Sequence, residues 1–219
     1  MSLPKYIFFC SLEYLSALIF ILIQFRFSVK ENIGKILLLS VFLSFVSFSL
    51  IHADLRDIGP IVQNLIFLIY IWVVLKVSFL NAVIMLLTGY TVFGLVQTCI
   101  LALHAEAGLV SGVVVLGDNI TYQIQALSSI VMLLLSLLTL ILNGGFSFVG
   151  IRGRIQKRGI NRKVIFYFIY IVLVFILTLL VNLYLLTSDH PSYILSVLVL
   201  LVALSILFYL SFKRDESVD

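Results

Sequence analysis

Glu13 is the single charged residue in an apolar run from Tyr6 to Phe25, and it carries the most chemical capacity in the chain. A carboxylate held in hydrocarbon costs on the order of 2.5–3.5 kcal/mol on insertion scales, so it is expected to face protein or water. Three other apolar runs hold neutral amides: Gln97, Asn182, and the pair Gln63 and Asn64. An ionised carboxylate only accepts hydrogen bonds, whereas an amide donates through its NH2 group, so these residues suit one shared polar layer. Such a layer either packs the helices together or contributes to an outward-facing ligand pocket; it does not catalyse. Hydrolytic or transfer chemistry inside a membrane needs His, Asp, Glu or a Ser–His pair clustered at depth. His52, His104 and His190 instead fall in predicted loops, near Asp54, Glu106 and Asp189, and no pair has the i, i+4 spacing of a zinc protease. The chain is therefore expected to be no enzyme, with no metal site and no cofactor.

The elements that position these residues are apolar stretches over 6–25, 36–51, 61–75, 79–103, 124–143, 164–187 and 194–212. Hydrocarbon about 30 Å thick needs about 20 apolar residues per helix, so the fold class is all-α. The expected architecture is a polytopic integral membrane protein: one seven-transmembrane-helix bundle over residues 1–219. Of the 14 Lys and Arg residues, only Lys5 and Arg56 lie outside if the N-terminus is outside. Short segments rich in Lys and Arg stay cytoplasmic, which places the C-terminus inside. In that frame Glu13, Gln97 and Asn182 lie roughly 10, 9 and 8 Å below the outer surface at the helical rise, with Gln63 and Asn64 near the rim. The stripe Glu13, Ala17, Phe20, Gln24 should point into the bundle. Ser40, Ser44 and Ser47 on the second helix, and Ser129, Ser136 and Asn143 on the fifth, read as close-packing seams.

With 63% hydrophobic and 11% charged residues, no separate soluble domain is expected. The net charge of +4 comes mainly from topology-setting segments and does not form a nucleic-acid surface. The first stretch runs too long for a signal peptide and lacks a small-x-small cleavage site. Cys10 and Cys99 lie inside predicted helices as small apolar packing residues. The segment 144–163 is strongly basic through Arg152, Arg154, Lys157, Arg158, Arg162 and Lys163. Those side chains are expected to contact anionic membrane lipid or a cytoplasmic partner. Its glycines lack the strand–loop–helix setting and the Lys-Ser/Thr ending of a phosphate loop. In the outer segment 104–123, Val113–Val115 fits a short strand, a re-entrant segment or an interfacial piece, and Asn119–Ile120–Thr121 is a glycosylation sequon relevant only in a eukaryotic membrane.

The runs FRFSVKENIGKILLLSVFLSFVSFSLI and DIGPIVQNLIFLIYIWVVLKVSFLNAVIMLLTGYTVFGLVQTCIL combine a basic inside segment, a Pro-ended outer turn, a tight helix pair and a GY…Q helix. This combination resembles the membrane sensor region of Gram-positive receptor histidine kinases of the accessory-gene-regulator type, which detect peptide pheromones. The matching residues are Pro60, Gln63, Gly89, Tyr90 and Gln97. The resemblance implies a bacterial cell-membrane sensor that takes an extracellular peptide or small apolar ligand among its outer helix ends. It also implies a sensor kinase or other cytoplasmic partner. Seven residues follow the last predicted helix, so the expectation is a sensor module without its kinase output. The alternative is a small-molecule transporter subunit, such as the substrate-binding component of an energy-coupling-factor importer, which has a similar length and helix number.

Overall fold

In the computed structural model, residues 2–55, 58–108, 119–146, 162–187 and 192–215 are described, and seven helices run through them. They are α1 (Leu3–Gln24), α2 (Val29–His52), α3 (Gly59–Ile69), α4 (Phe79–Glu106), α5 (Asn119–Ile141), α6 (Arg162–Thr187) and α7 (Tyr193–Asp215). Helix α3 continues into a π-helical turn, Tyr70–Val74. Five of the helices contain stretches long and apolar enough to cross a membrane: α1, α2, α4, α5 and the part of α7 from Ile194 to Ser211. This is an all-helical membrane protein.

Local chemistry explains where the helices start and stop. Pro4 and Pro60 stand in the first turns of α1 and α3, where a missing N–H costs nothing. Ser28 accepts from the backbone N–H of Glu31 and begins α2, and Ser78 does the same for Asn81 at the start of α4. Lys76 is left-handed after the π-helical turn, and three α-helices end in a left-handed residue that is not glycine: Arg26 after α1, Asp54 after α2 and Asn143 after α5. At each of these three α-helix ends the next N–H reaches back to a carbonyl in the last turn. The bonds are Phe27 to Leu22 at 2.8 Å, Leu55 to Leu50 at 2.9 Å and Gly144 to Thr139 at 2.9 Å.

Several predicted limits move for these reasons. The expected inner loop 26–35 is helix from Val29 onward, so Lys30 and Lys35 stand exposed on the first turns of α2. Helix α5 begins five residues before the expected 124. His52 and His104 lie in the last turns of α2 and α4, not in loops, and each ring nitrogen lies within hydrogen-bond distance of the carbonyl four residues back. His190, Arg56 and Val113–Val115 lie outside the described residues.

Helix α4 is the hub. It packs against α1, α3, α5, α6 and α7, while α2 packs on α1 and α3. Helices α1 and α4 run antiparallel, with Ile21 seated at Gly89; a Cβ there would meet Ile21 Cγ1 at 2.3 Å. Helices α1 and α5 run parallel and meet from Lys5–Asn119 at one end to Gln24–Phe146 at the other. The seam expected along Ser40, Ser44 and Ser47 is buried. Ser44 bonds the carbonyl of Ser40 in its own helix, and Ser47 meets the Tyr6 hydroxyl of α1 at 2.7 Å. On α5, Ser129 and Ser136 are buried, but Asn143 lies beyond the helix end and is exposed, so it is not part of that seam.

Candidate functional site

Glu13 lies ten residues into α1, about 15 Å along its axis. Only 8% of the residue is exposed. Its carboxylate is held by amides from two other helices. Gln97 Nε2 of α4 donates to Oε1, and Gln125 Nε2 of α5 donates to Oε2 at 3.0 Å. One acidic side chain therefore ties together three helices, and each carboxylate oxygen receives one N–H bond. Burial of an acid is tolerated when its acceptors are satisfied in this way.

Two features of the sequence build the layer. Gly89 lets α1 approach α4 closely, and Gln97 lies eight residues further along α4, two turns nearer the N-terminal end of α1. On α5, Gln125, Ser129, Met132 and Ser136 recur at helical spacing and are all buried. The hydroxyls of Ser129 and Ser136 bond back to the carbonyls of Gln125 and Met132, so they line the seam without competing for the carboxylate. An apolar cluster of Phe20, Val92, Val96, Ile100 and Met132 adjoins the layer. Toward the N-terminal end of α1 stand Tyr6, Cys10 and Tyr122, a second buried cluster.

The seam continues from that cluster to the rim. Phe9 and Tyr122 stack with ring centroids 5.1 Å apart. Lys5 Nζ stands 4.6 Å from the centre of the Tyr122 ring and donates to Asn119 Oδ1 at 2.9 Å. Two buried polar atoms on this face of α5, the Tyr122 hydroxyl and Gln125 Oε1, have no hydrogen-bond partner. At the opposite end of α1, the Phe146 N–H donates to the Gln24 carbonyl at 2.7 Å, and Arg26 donates to the Asn143 carbonyl at 3.4 Å. Gly145, with φ of 95°, packs so closely that a Cβ would lie 2.9 Å from that Gln24 oxygen.

The expected polar residues divide as follows. Glu13 and Gln97 are brought together. Gln63 and Asn64 are half-buried near the start of α3, and neither bonds the carboxylate. Asn182 lies on α6, which packs on α4 and α7, and its side chain is outside the described residues. In the stripe expected to face inward, Phe20 and Gln24 are buried and Ala17 is half-buried. Arg152, Arg154, Lys157 and Arg158 lie outside the described residues, as do the side chains of Arg162 and Lys163.

Gln125 is the residue that sequence reasoning missed. A helix starting at 124 leaves Gln125 at its frayed end, whereas the start at Asn119 carries it nearly two turns inward. The available signal was its i, i+4 relation to Ser129. Cys10 and Cys99 are free thiols. Among the described residues, no three His, Cys, Asp or Glu side chains gather as a metal site. Compared with protein-family models, curated proteins and solved structures, the chain matches none.

Proposed function

We propose that this protein is a non-enzymatic, receptor-like sensor of a bacterial cell membrane. It has seven spans, its N-terminus outside and its C-terminus inside. The observation that carries this reading is the Glu13 carboxylate bound by Gln97 and Gln125, with the unpartnered Gln125 Oε1 beside it. A buried charge shared by three helices is a point where a small ligand can alter how those helices pack, because its hydrogen bonds are worth most in low dielectric. The resemblance of Pro60, Gln63, Gly89, Tyr90 and Gln97 to pheromone-receptor sensor regions supports an extracellular peptide or small apolar ligand. Gln63 and Asn64 would stand at its entrance.

Helix α1 supplies the route inward. It carries Glu13 in its first half and ends on the Phe146 N–H, which leads directly into the basic segment. The basic residues Arg152, Arg154, Lys157, Arg158, Arg162 and Lys163 of the segment that follows are the ones proposed to contact anionic lipid or a signalling partner.

The test is chemical crosslinking in native membranes followed by identification of partners, run beside binding of extracellular peptide fractions to the full chain in nanodiscs. The sensor reading expects a signalling kinase or its regulator among the partners, with peptide binding lost in Glu13→Gln. Crosslinks to an importer ATPase, with solute accumulating inside vesicles, would overturn it in favour of a transporter subunit.

A further inference from the structure

The unpartnered acceptor at Gln125 narrows the chemistry of whatever enters the α1–α5 seam. Glu13 brings one formal negative charge, and its hydrogen-bond partners among the described residues are two neutral amides. Gln125 is 8% exposed and its amide points at the carboxylate, yet its Oε1 accepts no bond. Rotating that amide would give the oxygen a new orientation only by withdrawing the N–H from Glu13 Oε2. Within the set of Glu13, Gln97 and Gln125, a formal negative charge and one amide oxygen are left without a matching donor.

We propose that the seam between α1 and α5 binds a primary ammonium group, with Glu13 supplying the charge and Gln125 Oε1 an acceptor. Three N–H donors on a compact cation match a carboxylate with remaining lone pairs plus a neighbouring amide oxygen. A hard metal ion fits poorly, because it seeks six or more oxygens and both carboxylate oxygens already receive amide bonds. A quaternary ammonium has no N–H to give. At the rim the seam already accommodates an ammonium: Lys5 stands over the face of Tyr122, one turn outward from Gln125. The Tyr122 hydroxyl, 96% buried with its residue and unpartnered, is a further polar atom on the same face of α5.

This inference rests on the sensor reading for its biological meaning, and it is tested without any signalling readout. The full chain is placed in nanodiscs of neutral phosphatidylcholine and titrated with n-butylammonium, n-butanol and tetramethylammonium while its melting temperature is followed. Butylammonium is expected to raise the melting temperature saturably, and the two controls are not. Glu13→Gln should weaken the apparent affinity at least about tenfold. Gln125→Met keeps the charge and the side-chain length but removes the acceptor together with the N–H bond to Glu13 Oε2, and should weaken it several-fold. Because Gln125→Met leaves Glu13 in place, it decides the matter if Glu13→Gln fails to fold. Equal shifts from butanol, unsaturable shifts, or unchanged affinity in both variants would overturn the ammonium site. Saturable binding with no cellular response to Glu13→Gln would retain the site and overturn the sensor.

Discussion

Glu13, Gln97 and Gln125 form a set whose members fail differently when removed. Glu13→Ala leaves two amide donors buried among apolar neighbours, and each such loss costs roughly 1–3 kcal/mol. Glu13→Gln can keep both contacts if one facing amide turns, so it should cost no more than about 1 kcal/mol. Equilibrium unfolding in detergent or nanodiscs checks the order; equal losses for the two variants would mean that the hydrogen bonds contribute little. Gly89 acts by the space it leaves. Gly89→Ala puts a Cβ 2.3 Å from Ile21 Cγ1 and 2.5 Å from Cδ1, which should destabilise by about 1–3 kcal/mol through overpacking. Ile21→Ala removes both of those atoms, so the double variant should be less destabilised than the sum of the single ones. A double-mutant cycle with no coupling would show that α1 and α4 shift apart freely.

Among the helices, α1 decides most because it meets α2, α4 and α5 along its length. Its amide-bound acid near one end and its docked carbonyl near the other make it a candidate lever. Gly145 is the sensitive position at the C-terminal end of α1. Its φ of 95° and the 2.9 Å approach of a Cβ to the Gln24 oxygen both oppose any side chain. Gly145→Ala should therefore destabilise by more than about 1 kcal/mol and speed hydrogen exchange at the Phe146 amide. Unchanged protection there would separate the end of α1 from the basic segment that follows. The helices themselves were legible in their apolar runs, but their ends were less so. Arg26, Asp54 and Asn143 take left-handed conformations where glycine is usual, so the stop signals were not visible. The start of α5 was misplaced because Asn119, Thr121 and Tyr122 read as loop residues, and Gln125 was lost with it. Glu13 and Gln97 were readable as partners because antiparallel helices set them at similar depth.

At the scale of the whole molecule, the uneven distribution of basic residues bears on orientation. Single-cysteine labelling should find 144–163 shielded from an impermeant reagent added outside, and 104–123 accessible. Labelling of 144–163 from outside would reverse the proposed orientation. Replacing Arg154, Lys157 and Arg158 with Gln should preserve insertion while weakening binding to anionic vesicles or to a cytoplasmic partner; if neither changes at equal expression, the segment serves orientation alone. The sequence by itself determined that this is a helical membrane protein, because bilayer-length apolar runs leave no other way to satisfy the backbone. It also determined that Glu13 must find partners, since hydrocarbon penalises an isolated acid. Which partners it found was decided by tertiary structure. Helical periodicity gives each residue a face and a depth but does not say which helices are neighbours. The close approach at Gly89 and the parallel docking of α5 on α1 brought Gln97 and Gln125 to the carboxylate, while α6 was placed on α4 and α7.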